Sequence, residues 1–176
     1  MPHHTVSRTV VTRVAAIVGA CAILALMPGT ARAQNRLGGH FGFVLPLVDR
    51  FDDNTTTIAD DFVIGWPMGV SIKTTDTITF DLELVPVIQN DPLHVSLTVH
   101  PGVIRKIADG WSAGLRMAFD VDRPSWGFTP LINHQLVDFG GQSVFGELVV
   151  PIRFRENSRR TTSSSIGLGL HFGVGF

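Results

Sequence analysis

From residue 37 to residue 176, apolar and polar residues alternate with a period of two, the pattern of strands with one apolar and one polar face. In residues 62–73, Phe62, Ile64, Trp66, Met68, Val70 and Ile72 share one face, and Val63, Gly65, Pro67, Gly69, Ser71 and Lys73 share the other. Residues 165–176 alternate most cleanly, with Ile166, Leu168, Leu170, Phe172, Val174 and Phe176 opposite Ser165, Gly167, Gly169, His171, Gly173 and Gly175. The same alternation runs through residues 37–48, 77–88, 94–103, 111–121 and 144–154, and less regularly through 126–137. Eight strands are predicted, each close to the roughly 9–11 residues with which a tilted strand crosses a bilayer. Their connections fall at 49–61, 89–92, 122–125 and 155–164 on one end, and at 74–76, 104–110 and 138–142 on the other.

The first 33 residues follow a different rule. Arg8 and Arg13 precede an apolar run from Val14 to Met27, and Ala31-Arg32-Ala33 supplies an A-x-A site. Residues 1–33 therefore read as a cleaved export signal, leaving a mature domain at 34–176. The run is too short for a transmembrane helix. Val18-Gly19-Ala20-Cys21 loosely resembles a lipoprotein box, but the apolar run continues past it. Cys21 is the only cysteine, so neither disulfides nor thiolate chemistry are expected in the mature domain.

Charge is sparse: 16% of residues, a net −1, and only two lysines, Lys73 and Lys106. That excludes a basic nucleic-acid surface. It is also too little to coat a water-facing sheet. The polar face is mostly Gly, Ser and Thr with an occasional charge, as suits a narrow crowded interior, while Trp66, Trp111 and Trp126 lie near strand ends on the apolar face, where interfacial aromatics sit. The expected fold is all-β: an eight-stranded antiparallel up-and-down transmembrane β-barrel following a cleaved signal peptide. A soluble periplasmic lipocalin-like barrel, with its apolar face inward around an apolar ligand, is the alternative.

This pattern, with its ending Leu168-x-Leu170-x-Phe172-x-Val174-x-Phe176, resembles the small eight-stranded bacterial outer-membrane proteins of the OmpA-barrel, OmpX and OmpW kind. The resemblance implies a monomer in the bacterial outer membrane, in contact with its lipids. It also implies delivery by periplasmic chaperones to the barrel assembly machinery, which reads those five residues. Two features depart from the family: there is no tyrosine, and Pro46, Pro67, Pro86, Pro101, Pro130 and Pro151 fall inside predicted strands. Each proline then requires a bulge, a strand end or a contact with water.

By parity the polar face carries Lys73, Asp81, Glu83, His100, Arg116, Asp120, Glu147, Arg153 and His171. Asp81, Glu83, His100, Arg116, Glu147 and His171 are expected at one height, and His94, Asp120 and Arg153 at a higher one. Paired charges are tolerated in a cramped interior where isolated ones are not, and eight strands leave room only for side chains. A plugging ion-pair network is the expected arrangement, with a narrow path for small solutes or ions as the alternative. The expected role is therefore non-enzymatic, envelope-structural or surface-interacting. His134 falls on the apolar face with no serine near enough in sequence to suggest a triad, and no cofactor is expected. Asp49, Asp52, Asp53, Asp60 and Asp61 lack the D-x-D-x-D-G order of a calcium loop, so no metal is expected there. Pairing of the first strand with the last would bring this acidic segment beside Arg155, Arg159 and Arg160, and the two are expected to associate.

Overall fold

A computed structural model describes residues 36–89, 92–156 and 162–176, and the segment expected to be an export signal lies outside them. The described residues form eleven strands and no helix: β1 (Leu37–Phe51), β2 (Asn54–Thr57), β3 (Val63–Gly65), β4 (Met68–Lys73), β5 (Ile78–Gln89), β6 (His94–Ala108), β7 (Trp111–Asp120), β8 (Ser125–Asp138), β9 (Ser143–Val149), β10 (Ile152–Glu156) and β11 (Thr162–Gly175). All belong to one sheet with antiparallel pairings. β1 pairs with β3 and β4, these pair with β5, and β5 to β8 pair in sequence. β8 pairs with β9 and β10, and both pair with β11. β11 in turn pairs with β1, from His40↔Gly175 to Phe51↔Ser165, so the chain of pairings returns to its start.

Two predicted strands are each divided. The segment at 62–73 is interrupted at Trp66-Pro67, and the segment at 144–154 at Val150-Pro151. Proline has no backbone donor, so a ladder stops there. Other boundaries also move. β6 continues to Ala108, well past the predicted end at Val103, and a two-residue Asp109-Gly110 turn, with Gly110 at φ +71°, replaces the loop predicted at 104–110. Asp-Gly suits a tight hairpin turn because its backbone reaches positive φ cheaply. β1 continues to Phe51 and folds back as β2, with Arg50↔Thr55 and Phe51↔Asn54 in register, so much of the predicted 49–61 loop is a hairpin.

The remaining prolines find different accommodations. Pro46 lies at a register shift between β1 and β11. At Pro101 the β6–β7 pairing lapses between Val99↔Phe119 and Gly102↔Arg116 without changing register. Pro86 and Pro130, by contrast, sit inside continuous strands, with neither a bulge nor a strand end, and both are half-buried. The Pro86 carbonyl accepts from Trp66 N–H at 2.8 Å, and the Pro130 carbonyl accepts from Val150 N–H at 3.0 Å. In an extended chain a residue's N–H and C=O point the same way, so each missing donor faces a neighbouring strand break. Ladder defects are thus set against one another.

The two faces of the sheet have inverted polarity. Along β5, Ile78, Phe80, Leu82, Leu84 and Ile88 are exposed while Asp81 and Glu83 are buried. Along β7, Trp111, Leu115, Met117 and Phe119 are exposed while Arg116 is buried. Backbones approach closely on the buried side: a Cβ added at Gly42 would lie 2.1 Å from the Phe172 carbonyl oxygen, and one at Gly127 would lie 2.0 Å from that of Ile152.

A buried ionic cluster as candidate functional site

Period-two alternation places one polar side chain from each of several strands on the buried face. Asp81 and Glu83 come from β5, His100 from β6, Arg116 from β7, Glu147 from β9 and His171 from β11. These side chains lie together on that face. Arg116, only 4% exposed, donates from Nε to Asp81 Oδ2 at 2.8 Å and from Nη1 to Glu147 Oε1 at 2.6 Å. Its Nη2 lies 3.5 Å from Glu83 Oε2. Arg is suited to this position because its planar fork can hold several carboxylates while remaining charged. His171 Nδ1 lies 3.2 Å from Glu147 Oε1, and Asn133 Nδ2 donates to Glu147 Oε2 at 3.4 Å. Arg116, Asp81 and Glu147 belong to strands that are not neighbours in the sheet, so the Arg116 bonds cross its buried side, whereas His171 and Asn133 each lie in register beside Glu147 on an adjoining strand.

One member was missed by the sequence reading. His40 on β1 has its Nε2 2.9 Å from Glu83 Oε2 and its Nδ1 3.7 Å from Asp81 Oδ1. Parity does put it on the polar face, opposite Phe41, but an isolated histidine near the start of the domain gave no hint of its height. The outer members of the expected network do not all join. Asp120 accepts from Thr98 Oγ1 at 2.9 Å and lies 3.9 Å from Arg123 Nε. Arg153 donates to Thr129 Oγ1 and to His100 Nε2, each at 3.2 Å, and His100 Nδ1 lies 3.4 Å from Glu83 Oε1. Because Arg153 can only donate, His100 Nε2 accepts, which places the His100 proton on Nδ1 toward Glu83. His94 instead pairs with exposed Asp122 at 3.3 Å. Lys73 lies at the exposed end of β4 and has no ion pair among the described residues. The higher layer is therefore not a second cluster: its members bond to different partners.

Cavities flank the cluster. One of about 370 Å³ lies toward the β4–β5, β6–β7 and β8–β9 turns and is lined by Lys73, Asp76, Lys106, Asp109, Asn133 and Phe145. Another of about 210 Å³ lies toward the opposite end and is lined by Val48, Asp49, Asp120, Arg123, Arg153 and Arg155. Asp49 and Arg155 thus share a cavity, but no ion pair joins the acidic segment to Arg155 among the described residues. The Arg155 guanidinium instead lies 5.8 Å from the Phe51 ring centre. Arg159 and Arg160 lie outside the described residues. His134 stacks on Trp111 at 4.2 Å and bonds the Gly110 carbonyl through Nδ1 at 3.1 Å, an arrangement that anchors a turn.

In the turns, Thr57 donates to Asp60 Oδ2 from Oγ1 at 2.7 Å and from its backbone N–H at 2.9 Å. These bonds hold the Asp60 carboxyl below the ordinary aspartate range. The Gly140 N–H does the same for Asp138, donating at 2.7 Å. Compared with known protein families, curated proteins and solved structures, the chain matches none.

Proposed function

We propose that this protein is a small integral β-barrel of a bacterial outer membrane, without enzymatic activity, that serves envelope structure or surface interaction. In this reading the sheet, walled eight strands deep around its circuit, spans the bilayer, and the ionic cluster plugs its interior. The single observation carrying it is the inverted polarity: large apolar side chains point outward while Asp81, Glu83, Arg116, Glu147 and His171 are enclosed. Each large side chain left in water forgoes about 1.5–3 kcal/mol of burial. A continuous exposed belt containing Phe80, Leu82, Leu115, Met117, Leu148 and Phe172 is therefore favourable only against lipid. A soluble barrel holding an apolar ligand has the opposite arrangement.

The experiment is membrane fractionation, followed by electrophoresis of unboiled and boiled samples. The reading expects detergent-dependent extraction from the outer membrane and heat-modifiable migration. Full solubility after export overturns it.

The cavities on both sides of the cluster favour one elaboration, a narrow solute path interrupted by the plug. Planar-bilayer recording tests it: with a removable plug, Arg116→Ala conducts steadily where the wild type is largely closed.

A further inference from the structure

We propose that His40, Asp81 and Glu83 form a binding site for one divalent transition metal, zinc being the best fit. One ligand atom from each residue can be chosen so that all three lie within 4.8 Å of one another, and all three side chains are buried. The inference rests on this geometry and on charge, and it does not require the membrane reading.

Imidazole with two carboxylates is a zinc-type donor set; calcium and magnesium favour oxygen alone. The His40 ring already stands between the two acids, with Nε2 at 2.9 Å from Glu83 and Nδ1 at 3.7 Å from Asp81. One ion takes one ring nitrogen: Nε2 and Glu83 Oε2, 2.9 Å apart, can both reach an ion at about 2.0–2.1 Å once the ring turns, and Asp81, which faces the other nitrogen, turns toward it to complete the set. Arg116 neighbours both acids, with Nη2 3.5 Å from Glu83 Oε2, but it does not take up all their oxygens. It holds Asp81 through Oδ2, leaving Oδ1, which accepts from Ser71 Oγ at 2.9 Å. That second bond orients the carboxylate as outer partners of metal ligands do.

Charge points the same way. Asp81, Glu83 and Glu147 face a single guanidinium, their other basic neighbours being the imidazoles of His40, His100 and His171, so with neutral rings a divalent ion would balance the charge that Arg116 leaves. A second, independent sign of incompleteness lies beside the site. His171, 2% exposed, has its ring centre 5.9 Å from that of His40, and its Nε2 has no hydrogen-bond partner. The backbone has also been cleared for the His40 ring: a Cβ on Gly69 would lie 2.1 Å from His40 Cε1. A cavity of about 180 Å³ lined by His40, Ser71, Asp81 and Glu147 opens on the His40 and Asp81 side of the site, while Glu83 lines a separate one of about 130 Å³. Coordination needs the imidazole nitrogen free of its proton, so binding releases protons and weakens on acidification.

The test titrates purified, untagged protein with Co²⁺ and then Zn²⁺, following visible absorption and competition. One Co²⁺ per chain, displaced by Zn²⁺, is expected. His40→Gln and Glu83→Gln should each weaken binding by about tenfold or more, whereas His134→Ala and His94→Ala, both outside the cluster, leave it unchanged. X-ray absorption at the zinc edge of the wild type reads the site without any substitution, so the test survives even if no variant folds. One imidazole nitrogen, or two if His171 turns its free Nε2 to the ion, in a shell otherwise of oxygen supports the proposal. A shell of three or more imidazoles or of oxygen alone, binding other than one per chain, or unchanged affinity in His40→Gln overturns it.

Discussion

Arg116 on β7 donates to Glu147 on β9 across 2.6 Å although β8 separates their strands in the sheet. The bond can form only because the sheet curls and the two side chains meet over its buried side. The same guanidinium reaches Asp81 on β5, past β6, so one residue ties three walls together.

Removing that tie should be costly, because it leaves buried carboxylates without their cation. Arg116→Ala is expected to destabilise the protein by about 3–5 kcal/mol in denaturant unfolding. Adding Glu147→Ala should restore part of the loss, since the second change removes a stranded charge. Strict additivity of the two single effects would show that the pair is not coupled.

Leu82 lies on the exposed face between Asp81 and Glu83. If that face meets lipid, Leu82→Arg should destabilise the inserted state by about 2–4 kcal/mol, as charges near a bilayer midplane do. Thr56→Arg on the exposed β2 hairpin should stay within about 0.5 kcal/mol. Equal tolerance of both arginines in refolding into lipid vesicles would count against the membrane reading.

Close backbone contact gives a separate prediction. Gly42→Ala and Gly127→Ala would each drive a methyl group into a carbonyl oxygen of the adjoining strand. Each should cost about 1–3 kcal/mol. Gly146→Ala meets only the Phe172 and Leu136 side chains, the nearest at 3.4 Å, and should be better tolerated. Comparing unfolding midpoints of the three variants checks the order.

The turns carry a pH dependence of their own. Asp60 and Asp138 titrate below their ordinary value of 3.8 in the folded protein. A depressed carboxyl contributes stability that is fully present above the unfolded value and is lost as pH falls through the folded one. Local order at Thr57 and Gly140 should therefore persist down to about pH 4 and fade below it. Amide resonances of these two residues, followed by NMR from pH 6 downward, check this. In Asp60→Asn the change at Thr57 should disappear while that at Gly140 remains.

Alternation made the strands legible wherever two faces differ in polarity, as along β5 and β11. It was weakest where turn chemistry rather than periodicity sets the limits. Charged Arg105 and Lys106 looked like loop residues, yet they pair with Ala113 and Ser112 because charge is tolerated on a strand near its exposed end. The prolines announced defects without saying which would break a strand, since that depends on the neighbour each missing donor faces. Pro67 ends one ladder, while Pro86 remains inside a strand beside that same break.

The candidate site divides in the same way. By itself the sequence determined that the fold is all-β, which residues share a face, and that Asp81, Glu83, Arg116 and Glu147 had to find partners there. Parity requires no more than a two-residue repeat. Height along the sheet depends on register and stagger, which are set by pairing between strands distant in the chain. Only the tertiary structure could therefore bring His40 against Glu83, separate Lys73 from the cluster and send His94 to Asp122. A period of two states which side a residue faces, and the registers of the other strands decide whom it meets.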